Sequence, residues 1–433
     1  MGMLELSGLL FLLLVLFLAG GLWIGMSLAA VGFVAITFVH PQPGTFLASA
    51  LWESTGSWTL AALPMFVWMG EILFRTRLSQ ELFNGLSPWV RRIPGQLLHV
   101  NILACGIFGS VSGSSAATCA TVSKIALPEL QRRGYDQDVA IGSLATAGTL
   151  GILIPPSIIM VVYAVSAEVS IIRVFLAGCI PGLLVMGLFS LYIATWALLN
   201  PRKQPMPEPR LSMAEKLRRS SQLVPCALLI MAVVGSMIFG WATATEAAGF
   251  GVLGSLALAA ITRCLTWESF RDSLTGATRL SCMIMFILAG AAYLTKAMAL
   301  TGIPGALAAG VAALDLGPFG LIAMLTVIYI MLGTALDGVS MIVLTTSIVV
   351  PMVQQAGFDL VWFGIFIVLL VEIAQVTPPV GFNLFVMQAQ TGREQTAVAW
   401  AALPFFLMLV AAVAIITVWP QIATWLPDAL LNR

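Results

Sequence analysis

The chain has 433 residues, of which 60% are apolar and only 9% charged, and its 20 basic and 19 acidic side chains leave a net charge of +1. Soluble domains carry about 25% charged residues, so a water-soluble globule is excluded, and no basic footprint for nucleic acid is present. At about 20 apolar residues per crossing, the composition supplies on the order of ten to twelve membrane spans, so partners are to be sought among membrane lipids and proteins of the bilayer or its faces. Six cysteines stand singly at positions 105, 119, 179, 226, 264 and 282, a pattern that argues against a disulfide framework or a zinc site.

The first 39 residues start without a basic flank, and their apolar run is about twice the length of a signal-peptide core, so it is expected to stay in the mature chain. Gly20-Gly21 either breaks this run into two helices or bends one. Residues 75–92 carry Arg75, Arg77, Arg91 and Arg92 beside Leu78, Leu82, Leu86 and Trp89 at helical spacing, the pattern of an amphipathic helix at the cytoplasmic interface. An apolar run from Leu97 then enters Gly109-Ser-Val-Ser-Gly-Ser-Ser-Ala-Ala-Thr118, and a second run leaves it for residue 130. Each run is about a dozen residues, too short to cross, so 97–130 reads as a re-entrant hairpin whose tip lies inside the membrane. Arg132 and Arg133 mark another basic loop, and Lys124 is expected to snorkel to the same face. Residues 139–165 form an apolar segment interrupted by Gly148-Thr-Leu-Gly-Ile-Leu-Ile-Pro155-Pro156-Ser157. Tandem prolines remove helix donors and oppose the helix before them.

A Pro-rich stretch at 200–222 holds Arg202, Lys203, Arg210, Lys216, Arg218 and Arg219 against Glu208 and Glu215, and the positive-inside rule makes it a cytoplasmic linker. It divides the chain into a first repeat, 1–199, and a second, 223–433. In the second, Glu246 follows Thr243 and Thr245 as a helix cap. Residues 321–350 repeat the hairpin with the tip Gly333-Thr-Ala-Leu-Asp-Gly-Val-Ser340, and 360–390 repeat the broken helix at Ala374-Gln-Val-Thr-Pro378-Pro379-Val-Gly-Phe-Asn383. A constant offset of 223 matches Pro128 to Pro351, Gln131 to Gln354, Gly134 to Gly357, Asp136 to Asp359, Pro155-Pro156 to Pro378-Pro379 and Pro181 to Pro404. Loop 131–136 is basic and 354–359 is not, which fits opposite membrane sides and an inverted repeat, whereas Arg263, Arg271 and Arg279 count against it.

Four interruptions free backbone groups at mid-depth, where only protein or a water-filled cavity can shelter them. They gather oxygen: Ser110, Ser112, Ser114, Ser115, Thr118, Thr149, Ser157, Thr334, Ser340 and Thr377 hydroxyls, the Asp337 carboxylate, the Asn383 amide and freed carbonyls, with Gly113, Pro155, Pro156, Gly338, Pro378 and Pro379 shaping the backbone. Hard cations take oxygen ligands, so sodium is expected near Ser112, Ser114, Asp337 and Thr377. Half-helix N-termini suit a carboxylate-bearing substrate. The plainer reading is that small residues merely allow close helix packing. Asp337 is expected to be buried, requiring either a cation or a proton, and Glu372 reads equally as structure or site support. No P-loop motif occurs, so the energy source is expected to be an ion gradient. No residue set reads as catalytic: an intramembrane serine hydrolase would need a base, and His40 and His99 have no acidic partner at helical spacing. A passive channel is the other alternative.

The motifs at 109–118 and 148–157, with Pro128-Glu-Leu-Gln-Arg-Arg-Gly-Tyr135, Thr243-Ala-Thr-Glu-Ala247 and Glu372-Ile-Ala-Gln-Val-Thr-Pro-Pro-Val-Gly-Phe-Asn-Leu384, resemble the large membrane subunit of tripartite ATP-independent periplasmic (TRAP) transporters over nearly the whole chain. The resemblance implies an all-α, elevator-type secondary transporter in a bacterial inner membrane, with sodium as the coupling ion and no other cofactor. It further implies a separate small four-helix membrane subunit, a periplasmic substrate-binding protein, and an organic acid such as a dicarboxylate or sialic acid as substrate. The tips at 112–118 and 334–340 and the breaks at 149–157 and 377–383 become its sodium and substrate neighbourhood.

Overall fold

The computed structural model describes residues 3–38, 43–203, 205, 212–303, 305–306, 317–334, 336–379 and 381–431. His40, Glu208 and Arg210 lie outside them. The described elements are helical: α1 Met3–Ala19, α2 Ile24–Thr37, α3 Pro43–Thr55, α4 Ala62–Phe74, α5 Leu78–Val90, α6 Leu97–Ser112, α7 Ser115–Arg132, α8 Gln137–Ala147, a 3-10 turn Gly148–Ile152, α9 Ile158–Ser166 and α10 Ile171–Leu199. After the linker come α11 Met213–Ser220, α12 Val224–Ile238, α13 Ala244–Ile261, α14 Trp267–Thr301, α15 Gly317–Gly333, α16 Gly338–Gln355, α17 Leu360–Gln375, α18 Phe382–Thr391, α19 Gln395–Val418 and α20 Gln421–Leu431. Gly20-Gly21 therefore breaks the first apolar run rather than bending it.

Six described helical stretches are long and apolar enough to cross a bilayer, counting α11 and α12 together as Met213–Ile238 and including the hairpin arm Gly338–Gln355, or seven if the pair bent by 58° over residues 44–74 counts as one span. That is fewer than ten to twelve, because much of the apolar content sits in shorter pieces such as Leu97–Ser112, Gly317–Gly333 and Leu360–Gln375. Composition counts apolar residues without seeing where the chain turns back.

Residue 223 steps on, the second half reproduces the boundaries of the first. Helices α7 and α16 begin at 115 and 338 and end at 132 and 355, and α8 and α17 begin at 137 and 360. Asp136 caps α8 through the Asp138 and Val139 N–H groups, and Asp359 caps α17 through that of Trp362. Both double prolines contain a cis peptide bond. The hairpin arms are 16 to 18 residues long rather than about a dozen. Pro128 and Pro351 lie inside α7 and α16, and Pro181 and Pro404 lie inside α10 and α19. Membrane helices tolerate proline where neighbouring groups take up the freed carbonyl.

Two packed groups result. Helices α1–α4 pack with α12–α14, with Gly25 of α2 against Phe286 and Gly32 against Tyr293 of α14. Helices α6–α10 pack with α15–α20, and α4 joins the groups through contacts with α6 and α9. Partners are exchanged between halves: α8 lies against α19 and α17 against α10, while α7 lies against α18 and α16 against α9. The core of this second group is α17, whose residues from Trp362 to Leu370 are buried.

The linker is docked. The α5 helix buries Leu78, Leu82 and Phe83, as its amphipathic pattern requires, but Trp89 points outward. Its Nε1 donates to Ser220 Oγ at 2.6 Å, Ser220 Oγ donates to the Gly85 carbonyl at 3.2 Å, and Lys216 sits 5.7 Å over the indole. Lys203 pairs with Asp136 at 3.0 Å, so the linker and loop 131–136 share one basic face with the end of α5.

Candidate functional site

The first tip follows from local chemistry. α6 ends because Gly113 takes the left-handed conformation (φ +62) that glycine adopts without cost, and α7 restarts because Ser114 Oγ accepts the Ala117 N–H. Thr118 Oγ1 donates to the Ser114 carbonyl and lies 2.7 Å from Ser112 Oγ. Ser112, Gly113, Ser115 and Thr118 are buried and Ser114 half-buried, while Ser110 Oγ is occupied by the Ile107 carbonyl. The tip packs on two other segments: a Cβ at Gly113 would lie 2.9 Å from Ile158 at the start of α9, and one at Gly70 of α4 would lie 2.8 Å from the Ser112 carbonyl.

The first break is closed. Thr149 lies in its 3-10 turn and donates to the Thr146 carbonyl at 2.7 Å, and Ser157 caps α9 while donating to the Ile152 carbonyl at 2.7 Å. Pro155, Pro156 and Ser157 are buried, and Pro156 packs near Leu229, Ile230 and Val233 of α12. Gly109 and Gly151 let the hairpin touch the break backbone to backbone: a Cβ at Gly151 would stand 2.6 Å from Gly109 Cα.

The second tip departs from expectation. Asp337 is half-buried, and its carboxylate caps α16 by accepting the Val339 N–H at 3.2 Å, the Ser340 N–H at 3.4 Å and the Ser340 hydroxyl. A helix N-terminus thus supplies the stabilisation that the sequence leads one to expect from a cation or a proton. Thr334 Oγ1 donates to Met331 O and Thr377 Oγ1 to Ile373 O, each within its own segment. In the second break Pro378 and Pro379 are exposed and Thr377 half-buried, and the Pro379 carbonyl accepts from Gln395 Nε2 at 2.6 Å. Gly338 packs on Val371 and on Ile159 of α9.

One bridge spans the repeats. Asn383, fully buried at the start of α18, accepts from Ser115 Oγ at 3.1 Å and donates to the Ala145 carbonyl at 2.7 Å. Two turns on, Ser123 Oγ donates to Gln390 Oε1 at 2.7 Å, so α7 and α18 run in the same sense. Four interruptions thus fall into two linked neighbourhoods. Tip one meets break one and, through Asn383, the helix leaving break two; tip two meets α9 and α17. Of the residues assigned to sodium, Ser112 and Ser114 share the Thr118 cluster. Among the described residues no hydrogen bond joins them to Asp337 or Thr377. A cavity of about 520 Å³ lies beneath the first hairpin, lined by Lys124, Gln131 and Arg393. Lys124 is exposed there, as a snorkelling lysine should be.

Two expectations about acids resolve differently. Glu246 forms a complete capping box with Thr243. Glu372 is completely buried with both carboxylate oxygens lacking a hydrogen-bond partner, so the buried unpaired carboxylate is Glu372 and not Asp337. Its signal in sequence is an acid near the end of the apolar run Leu360–Ala374. His99 Nε2 donates to the Pro94 carbonyl at 2.7 Å, apart from the serine-rich tip.

Residues 11–422 match the family model described as the tripartite ATP-independent periplasmic transporter, DctM component. The chain is 34% identical over 405 residues to the C4-dicarboxylate TRAP transporter large permease protein DctM of Pseudomonas aeruginosa, covering 93% of this chain and 94% of that protein. It is 27% identical to the sialic acid TRAP transporter large permease protein SiaM of Vibrio cholerae, over 96% and 97% of the two chains. The crystal structure of the Alcanivorax borkumensis YdaH transporter has a similar fold, with a TM-score of 0.64 over 96% of this chain at 13% identity. With its apolar helices and a match that runs nearly end to end, this multi-pass membrane protein belongs to the DctM component family of TRAP transporters.

Proposed function

We propose that this chain is the large permease of a sodium-driven importer of an organic acid, working by elevator-type alternating access in a bacterial inner membrane. The Asn383 bridge carries the reading: it ties the first hairpin tip to the helix leaving the second break, so that interruptions from both halves meet as one polar unit. Such meeting points between repeats are where secondary transporters bind substrate and ion. The hydroxyls of Ser112, Ser114, Ser115 and Thr118, and the backbone freed at 153–157, 376–379 and 381, are the oxygen donors for sodium, and the starts of α7 and α9, capped by neutral hydroxyls, favour a carboxylate. Relatives named for C4-dicarboxylates and for sialic acid support an organic acid as the substrate class. A small four-helix membrane subunit and a periplasmic binding protein complete the transporter.

The recurrence at 223 residues, with partners exchanged between halves, supports an inverted repeat, and the basic face formed by the linker, α5 and loop 131–136 is its cytoplasmic side. Uptake by proteoliposomes containing the permease, the small subunit and the binding protein tests the reading. A sodium gradient should drive accumulation of at least one acid in a panel of dicarboxylates and sialic acids, and collapsing the gradient should stop it. Uptake indifferent to sodium would refute the coupling. Cysteines placed in loops 131–136 and 354–359 should label from opposite sides of the membrane; labelling from one side would refute inversion.

A further inference from the structure

We propose that Glu372 and Thr149 form a monovalent-cation site where the two repeats meet, separate from the hairpin tips. Glu372 lies in α17 among Val368, Leu369, Val371 and Ile373, all fully buried, and both its oxygens are buried without a hydrogen-bond partner. An ionised carboxylate left so would be very costly. The polar side chain near enough to act on it is Thr149, in the 3-10 turn of the first break. The Thr149 hydroxyl proton is engaged by the Thr146 carbonyl at 2.7 Å, which leaves the hydroxyl oxygen available as a ligand. One turn back, Thr146 Oγ1 is also buried without a partner. Oxygen ligands with a single negative charge suit a small hard cation. Among the described residues no group of three His, Cys, Asp or Glu side chains is present to hold a more highly charged metal.

The positions themselves carry a second argument. Residues 149 and 372 are 223 apart, the repeat offset, so each is the other's counterpart. Counterparts related by a two-fold operation come together only near its axis. A cation held between them would belong to both halves at once, binding the first break to the core helix of the second.

The proposal rests on sodium coupling and names one of its ions. The intact complex in detergent is titrated with sodium chloride against choline chloride at constant ionic strength, and thermal stability is read without substrate. Wild type should be stabilised by sodium. Glu372→Gln, nearly isosteric and uncharged, should raise the sodium concentration for half-maximal effect at least tenfold. Thr149→Val should raise it severalfold, and Thr149→Ser should restore it, a readout that also serves if Glu372→Gln does not fold. Unchanged sodium titrations in Glu372→Gln, or in Thr149→Val, would overturn the site. A Glu372→Gln effect on the pH dependence of stability alone, with sodium affinity intact, would also overturn it in favour of a proton. Wild-type uptake indifferent to sodium would retire the proposed function, whereas sodium-driven wild-type uptake with a normal sodium titration in Glu372→Gln would retire only this site.

Discussion

The two double-proline breaks share a motif, a cis bond and a place in the repeat, yet one is sealed and the other open. Pro155, Pro156 and Ser157 are buried, whereas Pro378 and Pro379 are exposed. The flanking residues and the neighbours account for it. Gly148 and Gly151 allow a compact 3-10 turn against Gly109, and Pro156 lines a small apolar pocket together with Leu229, Ile230 and Val233 of α12. At the position matching Gly151 the second repeat has Ala374, whose methyl faces Gly333. Its freed carbonyl at Pro379 depends on the Gln395 side chain. Equivalent backbones thus acquire unequal access, an asymmetry that the proposed alternating-access mechanism would use.

The largest way to break this contrast is to spoil the sealed seam. Gly151→Val would drive a side chain into the Gly109 backbone, which cannot move aside as a flexible side chain would. A loss of about 3 kcal/mol or more is expected, seen as poor accumulation and early thermal unfolding in detergent; near-normal melting would show that the seam is loose. Next comes the bridge. Asn383→Ala removes two buried hydrogen bonds and strands the Ala145 carbonyl, a cost of about 2–4 kcal/mol, and should abolish uptake. Wild-type uptake by this variant would mean that the halves need not be tied at this point.

Asp337 sharpens the contrast at the open side. Asp337→Ala removes the α16 cap at a cost of about 1 kcal/mol and should abolish sodium-driven uptake, whereas Asp337→Asn keeps the cap. If Asn retains both stability and uptake, Asp337 acts as a cap; if it retains stability and loses uptake, the carboxylate charge itself serves transport.

The smallest effect concerns the docked linker. Burial alone would raise the Asp136 carboxyl, but Lys203 and the Val139 and Asp138 N–H groups outweigh it and hold the carboxyl below its usual range. A group depressed in the folded state stabilises above its unfolded value near 4 and loses that contribution as pH falls through the lower folded value. Lys203→Ala should therefore flatten the stability profile slightly below about pH 4, with an effect under about 1 kcal/mol at neutral pH. Identical acid profiles would show that the pair contributes nothing.

The amino-acid sequence by itself determined that the chain lives in the membrane, where its two double-proline breaks fall, and a 223-residue recurrence that the helix boundaries follow. Apolar runs, glycine and proline act on the few residues around them, so these features are readable one segment at a time. Gly113 and Ser114 announce a helix end and a helix start wherever they are placed. Only the tertiary structure decided that Asp337 would be satisfied by a helix end while Glu372 would be left without a partner, that Asn383 would reach Ser115, and that one break would be covered and the other not. The Asn383 bridge and the surroundings of Glu372 depend on neighbours more than 200 residues away in sequence, and burial and pairing are properties of the surroundings that a residue's own identity does not contain.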